Sequence, residues 1–502
     1  MDGPLTEPIS RTATYAVLIL VAVFAGVAVA EVGWQIALAV VVVSVAVVVL
    51  MVARVALRPV PAASQLVRRV VAEEPYLRVP RLCYYLGAAT IGFLTIRPAI
   101  AFTASDWIFF VALGLTCLAL LVYGLDHAFL VPRAITVGVA IFSVGGIVSS
   151  FEAAAPFESV FIVVRLLYLT IVWFWLGTIL LQTREHVEYA VLAWVASAAL
   201  SSGGAVVQYF YGDVLPGGEV AYGRMSGFTP HFNNLGGLAA TAFVPALMLG
   251  VDSPRRLLRM LGFVAMGLLG VGLLLAGSIG GFLTAIIATA FWLAVRGVTG
   301  KTLVSLLAAV AVGLVLMSAS GTTNTPNPLD RIERVTASED AGVGSGSVHT
   351  RLGGYELAWE RIREQPLIGI GLDEASAGEA LEGGHLVHNL ILSQWFSAGI
   401  LGLVGVVLLV GGALLNGCRT VQRSSPDQRP LTAALLASLV AFLVFAMGEP
   451  ILFVRYGWFP VAMLVALGAQ MLRAEAQTIT PAPVRAHSAP GRTARRARHA
   501  GI

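Results

Sequence analysis

Long apolar runs recur along most of this chain and constrain its fold more than any other feature. Residues 34–52 and 160–181 each reach or approach the roughly 20 residues that an α-helix needs to cross the hydrocarbon core of a bilayer. Hydrophobic residues make up 57% of the sequence and charged residues only 12%, which excludes an ordinary soluble domain. The sequence therefore predicts an all-α polytopic integral membrane protein.

The apolar runs predict about fourteen transmembrane helices, within a range of about 12 to 14 because some neighbouring runs are hard to separate. Their predicted starts lie near Ala13, Trp34, Leu82, Trp107, Ala134, Val160, Tyr189, Leu235, Met260, Ile279, Thr302, Asn389, Leu431 and Tyr456. The predicted domains are helices 1 to 11 in residues 1–317, a large extracytoplasmic loop at 318–388, the last three helices at 389–472, and a disordered Arg-rich tail at 473–502.

Basic residues are concentrated in every second loop between the predicted helices, as a multi-pass topology requires. Short cytoplasmic loops of membrane proteins carry an excess of Arg and Lys, and an N-terminus on the cytoplasmic side places most basic residues in such loops. This pattern predicts a multi-pass protein of a bacterial inner membrane with both termini in the cytoplasm. Topology and contact with anionic lipid account for the net charge of +4, so no nucleic-acid partner is predicted.

The later part of the large loop has the pattern of an ordered amphipathic helix. Thr350 is a candidate N-cap for a helix that runs to about Glu364, and Pro366 follows its end. Four apolar side chains recur at three- and four-residue spacing on one face of this helix. They are Leu352, Tyr355, Trp359 and Ile362.

Several motifs flank or lie within the two long predicted outer loops, which are residues 209–234 and 318–388. They are Arg351 through Trp359, Pro366-Leu367-Ile368-Gly369-Ile370-Gly371, His388-Asn389-Leu390, Gly399-Ile400-Leu401-Gly402, Arg224-Met225-Ser226-Gly227-Phe228 and Asn233-Asn234. In order and spacing they resemble the O-antigen ligase and Wzy-type polymerase superfamily, over about residues 223–471. The resemblance implies a cell-envelope glycosyltransferase that takes part in the biosynthesis of a surface polysaccharide.

That resemblance implies a membrane enzyme that moves a glycan from a polyprenyl-diphosphate donor onto an acceptor sugar hydroxyl. The partners are then the lipid-linked glycan donor, a glycan or lipid acceptor, and membrane lipid. The chemistry needs cations for the diphosphate and a base for the hydroxyl proton, so neither a cofactor nor a metal is expected. A single displacement without a carboxylate nucleophile predicts inversion at the anomeric carbon.

Arginine suits the diphosphate because its planar guanidinium binds phosphate oxygens bidentately. Arg224 and Arg351 are the leading candidates, because both lie in motifs that resemble those of the family. The family commonly has an arginine in a turn where this chain has Ile279 within Ala276-Gly277-Ser278-Ile279-Gly280-Gly281. Arg165, inside the sixth apolar run, is the hypothesised replacement, since a charge there is costly and usually faces a polar cavity.

His388 is the candidate base, because it begins the His-Asn-Leu motif where the outer loop re-enters the membrane. His385, Asn389 and Arg455 are secondary candidates. A metal site formed by His385 and His388 with Asp373 or Glu382 is the less favoured alternative, because the spacing is loose and fixes no third ligand. Glu449 and Arg455 are expected to pair with each other, with a shared position at the border of the same cavity as the alternative, and His231 is expected to cap the eighth helix.

Two interpretations remain open within this family, namely a ligase that transfers a finished glycan and a polymerase that extends a growing chain. A lipid-linked oligosaccharide flippase or transporter is an alternative from another class, although the sequence lacks the paired inverted repeats that transporters often show. A noncatalytic envelope assembly protein is a third possibility, which the absence of the family arginine at Ile279 favours.

Overall fold

A computed structural model describes residues 75–97, 102–123, 129–297, 347–381 and 387–479. Those residues form thirteen α-helices and one short β-hairpin. The helices are α1 Arg78–Ala88, α2 Ala104–Val122, α3 Arg133–Ser149, α4 Pro156–Leu180, α5 Arg184–Tyr211, α6 Phe232–Asp252, α7 Arg256–Ala276, α8 Ile279–Val295, α9 Ser347–Glu364, α10 Glu374–Ala380, α11 Leu390–Arg423, α12 Arg429–Ala446 and α13 Arg455–Ile479. The strands are β1 Val220–Ala221 and β2 Arg224–Met225.

The all-α membrane architecture is confirmed. Within the described ranges, eight helices are long and apolar enough to span a bilayer, and α3 and α8 are apolar helices of 10–17 residues. The span predicted near Leu82 is wrong, because α1 has only 11 residues and turns follow it. The spans predicted near Ala13, Trp34 and Thr302 lie outside the described residues.

Two other sequence-based boundaries shift in the structure. Helix α9 begins at Ser347, before the predicted cap at Thr350, and it ends at Glu364 as expected. Its predicted apolar face is only partly buried: Ile362 is buried, whereas Leu352 is 51% exposed and Trp359 41% exposed. Helix α13 continues to Ile479, past the boundary predicted at 472, so the predicted tail begins within a helix.

Helices α3 and α11 approach each other through glycines. A side chain at Gly138 would meet the backbone of Gly405 and Leu409, and one at Gly145 would meet the backbone of Ala398 and Gly402. Small residues at such contacts permit close approach of two membrane helices, which gain stability through van der Waals packing. This contact fixes α11, and hence the loop before it, against the bundle.

Helix α11 is interrupted at Gly399. Its 34 residues would extend about 51 Å, far more than the roughly 30 Å of a hydrocarbon core. Gly399 has φ 64° and ψ −163°, a conformation essentially open only to glycine. An added Cβ there would lie 2.1 Å from the Leu367 carbonyl oxygen, and one at Gly369 would lie 2.6 Å from the Gly399 nitrogen. Segment 366–371 is therefore packed directly against the kink.

The helix ends form two opposite faces. On one face Arg296 forms a bidentate pair with Asp252 at 2.6 and 2.9 Å, and Arg255 pairs with Glu185. On the other face lie the hairpin, α9, α10, the start of α11 and the loop 447–454. This second face, called the site face below, holds the loops that the sequence assigns to the extracytoplasmic side.

Candidate functional site

Arg224 is placed by the β-hairpin that precedes α6. The antiparallel strands pair Val220 with Met225 and Ala221 with Arg224. The two turn residues, Tyr222 and Gly223, have φ values of 55° and 70°, the left-handed conformation that a tight two-residue hairpin needs. The hairpin thus holds Arg224 against the ends of α6 and α7.

The Arg224 guanidinium is almost fully enclosed, with only 3% of the residue exposed. Its Nε donates to the Ala276 carbonyl at 2.7 Å, and its Nη2 donates to Asn233 Oδ1 at 2.6 Å. Its carbon centre lies 3.3 Å from the Phe232 ring centroid, in a cation–π contact. Arg224 therefore places a positive charge beside Asn233, and Asn233 lies in the first turn of α6.

Glu449 links the predicted site residues to one another. Its Oε1 accepts hydrogen bonds from Asn233 Nδ2 and Arg351 Nη2, both at 2.9 Å. Its Oε2 lies 3.4 Å from His388 Nδ1. Arg351 and His388, which are far apart in sequence, thus meet at one carboxylate at the site face, and Arg224 is linked to it through Asn233.

His388 lies immediately before α11, and its backbone carbonyl accepts a 2.7 Å hydrogen bond from the Tyr355 hydroxyl of α9. Burial raises the pKa of Tyr355; Arg351 opposes this shift and Glu449 reinforces it. The hydroxyl therefore keeps its proton and remains a donor near neutral pH. Tyr355 thereby fixes the backbone of the candidate base independently of the imidazole.

Arg455 and Glu449 do not pair, contrary to the sequence-based expectation. Arg455 instead forms a buried salt bridge with Asp106 at the start of α2. The partner was missed because it lies 349 residues away and carries no motif. Arg455 therefore belongs to a second charged cluster, beside the Glu449 site.

Arg165 also lies in this second cluster. Its Nη2 donates to the Phe453 carbonyl at 3.0 Å. It interacts electrostatically with Arg455, Asp106, Arg97 and Glu374. It contacts the loop that carries Glu449 through Phe453, and its role in donor binding stays a prediction.

The remaining predicted residues have local structural roles or fall outside the described residues. Asn389 caps α11, its side-chain oxygen accepting from the Ile391 and Leu392 nitrogens at 3.0 Å each. His231 caps α6 as predicted, with Nδ1 accepting from the Asn233 nitrogen at 3.1 Å. His385 and Glu382 lie outside the described residues.

Asp373, weighed in the metal alternative, caps α10 through hydrogen bonds with Ser376 at 2.7 and 2.9 Å. In the part of the chain that the structure describes, no three His, Cys, Asp or Glu side chains are grouped as metal ligands. The described contacts thus give Asp373 a structural role.

Ile279 begins α8, directly after the Ser278 cap, whose oxygen accepts from the Gly281 nitrogen at 3.2 Å. The preceding helix ends at Ala276, the residue whose carbonyl binds Arg224. In the described contacts, the guanidinium that binds beside the turn between α7 and α8 is therefore that of Arg224, from the hairpin.

A separate cavity of about 300 Å³ opens on the site face between the C-terminal end of α9, α10 and the loop before α4. Its charged lining consists of Glu152, Arg361, Glu364 and Glu379. None of the residues around Glu449 contributes to it, so the chemistry predicted from the motifs does not lie there.

Sequence reasoning found His388, Arg351 and Arg224 but not the group that joins them. The sequence predicts Glu449 beside Arg455, and it marks Asn233 only as part of a motif. The available signal was the position of Glu449 as a lone carboxylate between two apolar helices, where an ionisable group usually has a polar partner.

Comparison with known protein families gives one match. Residues 264–407 match the family described as O-antigen ligase, a segment that includes Arg351 and His388 but neither Arg224 nor Glu449. No curated protein matches the chain. The family match indicates a membrane glycosyltransferase-like role in polysaccharide synthesis. The chain thus combines helices of membrane-spanning length with a segment, residues 264–407, that matches the O-antigen ligase family.

Proposed function

We propose that this protein transfers a glycan from a polyprenyl-diphosphate donor to a sugar hydroxyl of an acceptor. The observation that supports this most is that Arg351 and His388 meet at Glu449 on the site face, with Arg224 linked to the same carboxylate through Asn233. Such a cluster offers fixed positive charge for a diphosphate beside a group able to accept a proton.

Arg351 is the proposed direct ligand of the diphosphate. About a third of its side chain is exposed, and only one of its five N–H groups is used by Glu449 in the described contacts. Arg224 is enclosed, so we expect it to contribute positive charge from within the protein and to orient Asn233 through its hydrogen bond to Oδ1. This charge beside Ala276 is our proposed substitute for the arginine that Ile279 replaces.

His388 is the proposed general base. With its Nδ1 side directed at Glu449, a neutral imidazole that carries its proton on Nδ1 presents Nε2 to the acceptor hydroxyl. The hydroxyl oxygen attacks the anomeric carbon, its proton passes to Nε2, and the bond from that carbon to the diphosphate breaks. Glu449 then stabilises the imidazolium, Arg351 stabilises the departing diphosphate, and the single displacement inverts the anomeric configuration.

The test is reconstitution of the purified protein in proteoliposomes with a lipid-linked glycan donor and an acceptor glycan, in the presence of EDTA. We expect equal amounts of elongated acceptor and free polyprenyl diphosphate, with an inverted linkage seen by NMR. Donor that crosses the bilayer without release of diphosphate would instead support the flippase interpretation. A protein with neither activity would support the noncatalytic one.

The substitution Arg351→Gln is expected to lower kcat/KM for the donor about 10- to 100-fold, because it removes a charged hydrogen bond worth roughly 1.5–3 kcal/mol. Arg351→Lys should recover part of this loss, since lysine keeps the positive charge but lacks the planar guanidinium that binds two phosphate oxygens at once. The matched control is Arg361→Gln on the same helix, where the arginine pairs only with exposed Glu364 in the described contacts. Initial rates at varied donor concentration measure both; an unchanged kcat/KM for Arg351→Gln would exclude the proposed contact.

A further inference from the structure

The loop 447–454, between α12 and α13, carries Glu449 and is held by side chains from other parts of the fold. Arg165 of α4 donates to the Phe453 carbonyl at 3.0 Å, and Trp458 Nε1 donates to the Leu452 carbonyl at 2.6 Å. Within the loop, the Ile451 nitrogen donates to the Glu449 carbonyl at 2.9 Å. The backbone between Glu449 and α13 is therefore a compact turn with two successive carbonyls bound from outside.

The position of Arg165 is itself fixed by its helix. The π-helical segment Tyr168–Val172 follows within α4, and the Tyr168 hydroxyl donates to the Asp106 backbone carbonyl at 2.8 Å. The Asp106 side chain in turn binds Arg455 at the start of α13. Helices α2, α4 and α13 are thus bound to one another around the end of the loop, and Arg165 contacts the loop from α4.

The contacts of Arg165 differ from those of a diphosphate clamp. Its Nη2 is bound to a backbone carbonyl, and its surroundings hold charges of both signs, from Arg455 and Arg97 and from Asp106 and Glu374. Two observations favour an anion ligand, namely the neighbouring Arg455 and Arg97 guanidinium groups and the buried Arg165 Nε, which has no acceptor among the described residues. The two roles predict different kinetics, so they can be separated by experiment.

We propose that Arg165 is a positioning residue, which holds the Phe453 carbonyl so that Glu449 lies between Arg351 and His388. This proposal rests on the proposed function, because Glu449 matters only if His388 is the base. Loss of the Arg165 contact releases the loop and displaces the Glu449 carboxylate. A displacement of about 1 Å at a reacting group lowers the rate by about 100-fold.

The experiment measures kcat and donor KM of Arg165→Met and Arg165→Lys in proteoliposomes. We expect kcat to fall about 10- to 100-fold for Arg165→Met and less for Arg165→Lys, with the donor KM within twofold of wild type. The lysine variant keeps a charge at this place in the helix, so it gives the same kcat and KM comparison if Arg165→Met fails to fold. Arg97→Gln is the matched control, because Arg97 belongs to the same charged cluster but donates to the Leu94 carbonyl at 3.1 Å.

Comparison with Glu449→Gln tests whether Arg165 acts through the carboxylate. We expect the pH dependence of kcat to shift in the same direction in both variants, and the double variant to be no slower than Glu449→Gln alone.

A donor KM raised tenfold or more, with kcat unchanged and weaker inhibition by inorganic pyrophosphate, would overturn the proposal in favour of direct anion binding. Wild-type kinetics in Arg165→Met would exclude both roles. A wild-type protein that transfers no glycan would instead refute the proposed function.

Discussion

Replacement of His388 by alanine is expected to slow glycan transfer by about 10²- to 10⁴-fold, the range in which loss of a general base falls. The protein should remain in the membrane, because the Tyr355 hydroxyl bonds the backbone carbonyl of residue 388, which alanine retains. In a deletion strain complemented with His388→Ala, we expect the polyprenyl-linked precursor to accumulate and surface polymer to disappear. Rates of the purified variant give the magnitude.

Glu449→Gln provides the companion measurement, since glutamine still accepts hydrogen bonds from Asn233 and Arg351 but does not stabilise an imidazolium. If His388 and Glu449 act as one unit, the double variant should be about as slow as His388→Ala alone.

His231→Asn is the matched control for His388→Ala. It replaces another histidine of the site face and keeps a good helix cap. Normal polymer from His388→Ala at normal abundance would show that His388 has a structural role. Additive losses in the double variant with Glu449→Gln would show that the two residues act separately.

Substitution of Asp106 by alanine is expected to destabilise the protein by about 3–5 kcal/mol, because it removes the buried carboxylate that pairs with the Arg455 guanidinium. Asp106 is 1% exposed and Arg455 4% exposed. Both carboxylate oxygens of Asp106 accept hydrogen bonds from Arg455 Nε. One of them also accepts a hydrogen bond from the Thr103 nitrogen at 2.8 Å. The measurement is the temperature at which the detergent-solubilised protein loses its monodisperse peak in size-exclusion chromatography.

Two comparisons separate lost pairing from a general effect of substitution. Asp106→Asn combined with Arg455→Gln removes both charges, so it should cost less than either single substitution. Asp252→Asn breaks a more exposed Asp–Arg pair on the opposite face and should cost under about 1 kcal/mol. Equal losses for Asp106→Ala and Asp252→Asn would contradict this account.

The helices could be predicted from the sequence because span length and hydropathy depend on neighbouring residues alone. The exact ends of the helices are harder to predict. The apolar run near Leu82 predicts a span, whereas α1 ends at Ala88 and turns follow it. Hydropathy does not distinguish a short helix followed by apolar turns from a continuous span.

The site could be predicted where a motif marked it, and not where only tertiary contacts define it. His388 and Arg351 lie in recognisable motifs, and both side chains contact Glu449 in the structure. Glu449 has no motif, and the choice between Arg455 and more distant partners depends on how α2 and α13 are arranged. Charged residues near each other in sequence were therefore paired wrongly, since Asp106 approaches Arg455 only in the folded bundle.

The kink at Gly399 has a consequence for genetics. Alanine there meets two independent obstacles: a backbone conformation open essentially to glycine alone, and the Leu367 carbonyl at 2.1 Å from the new Cβ. A second-site change within 366–371 relieves the contact but not the backbone conformation. If Gly399→Ala abolishes polymer, selection for its return should therefore yield true revertants at codon 399, and sequenced suppressors in neighbouring codons should be rare.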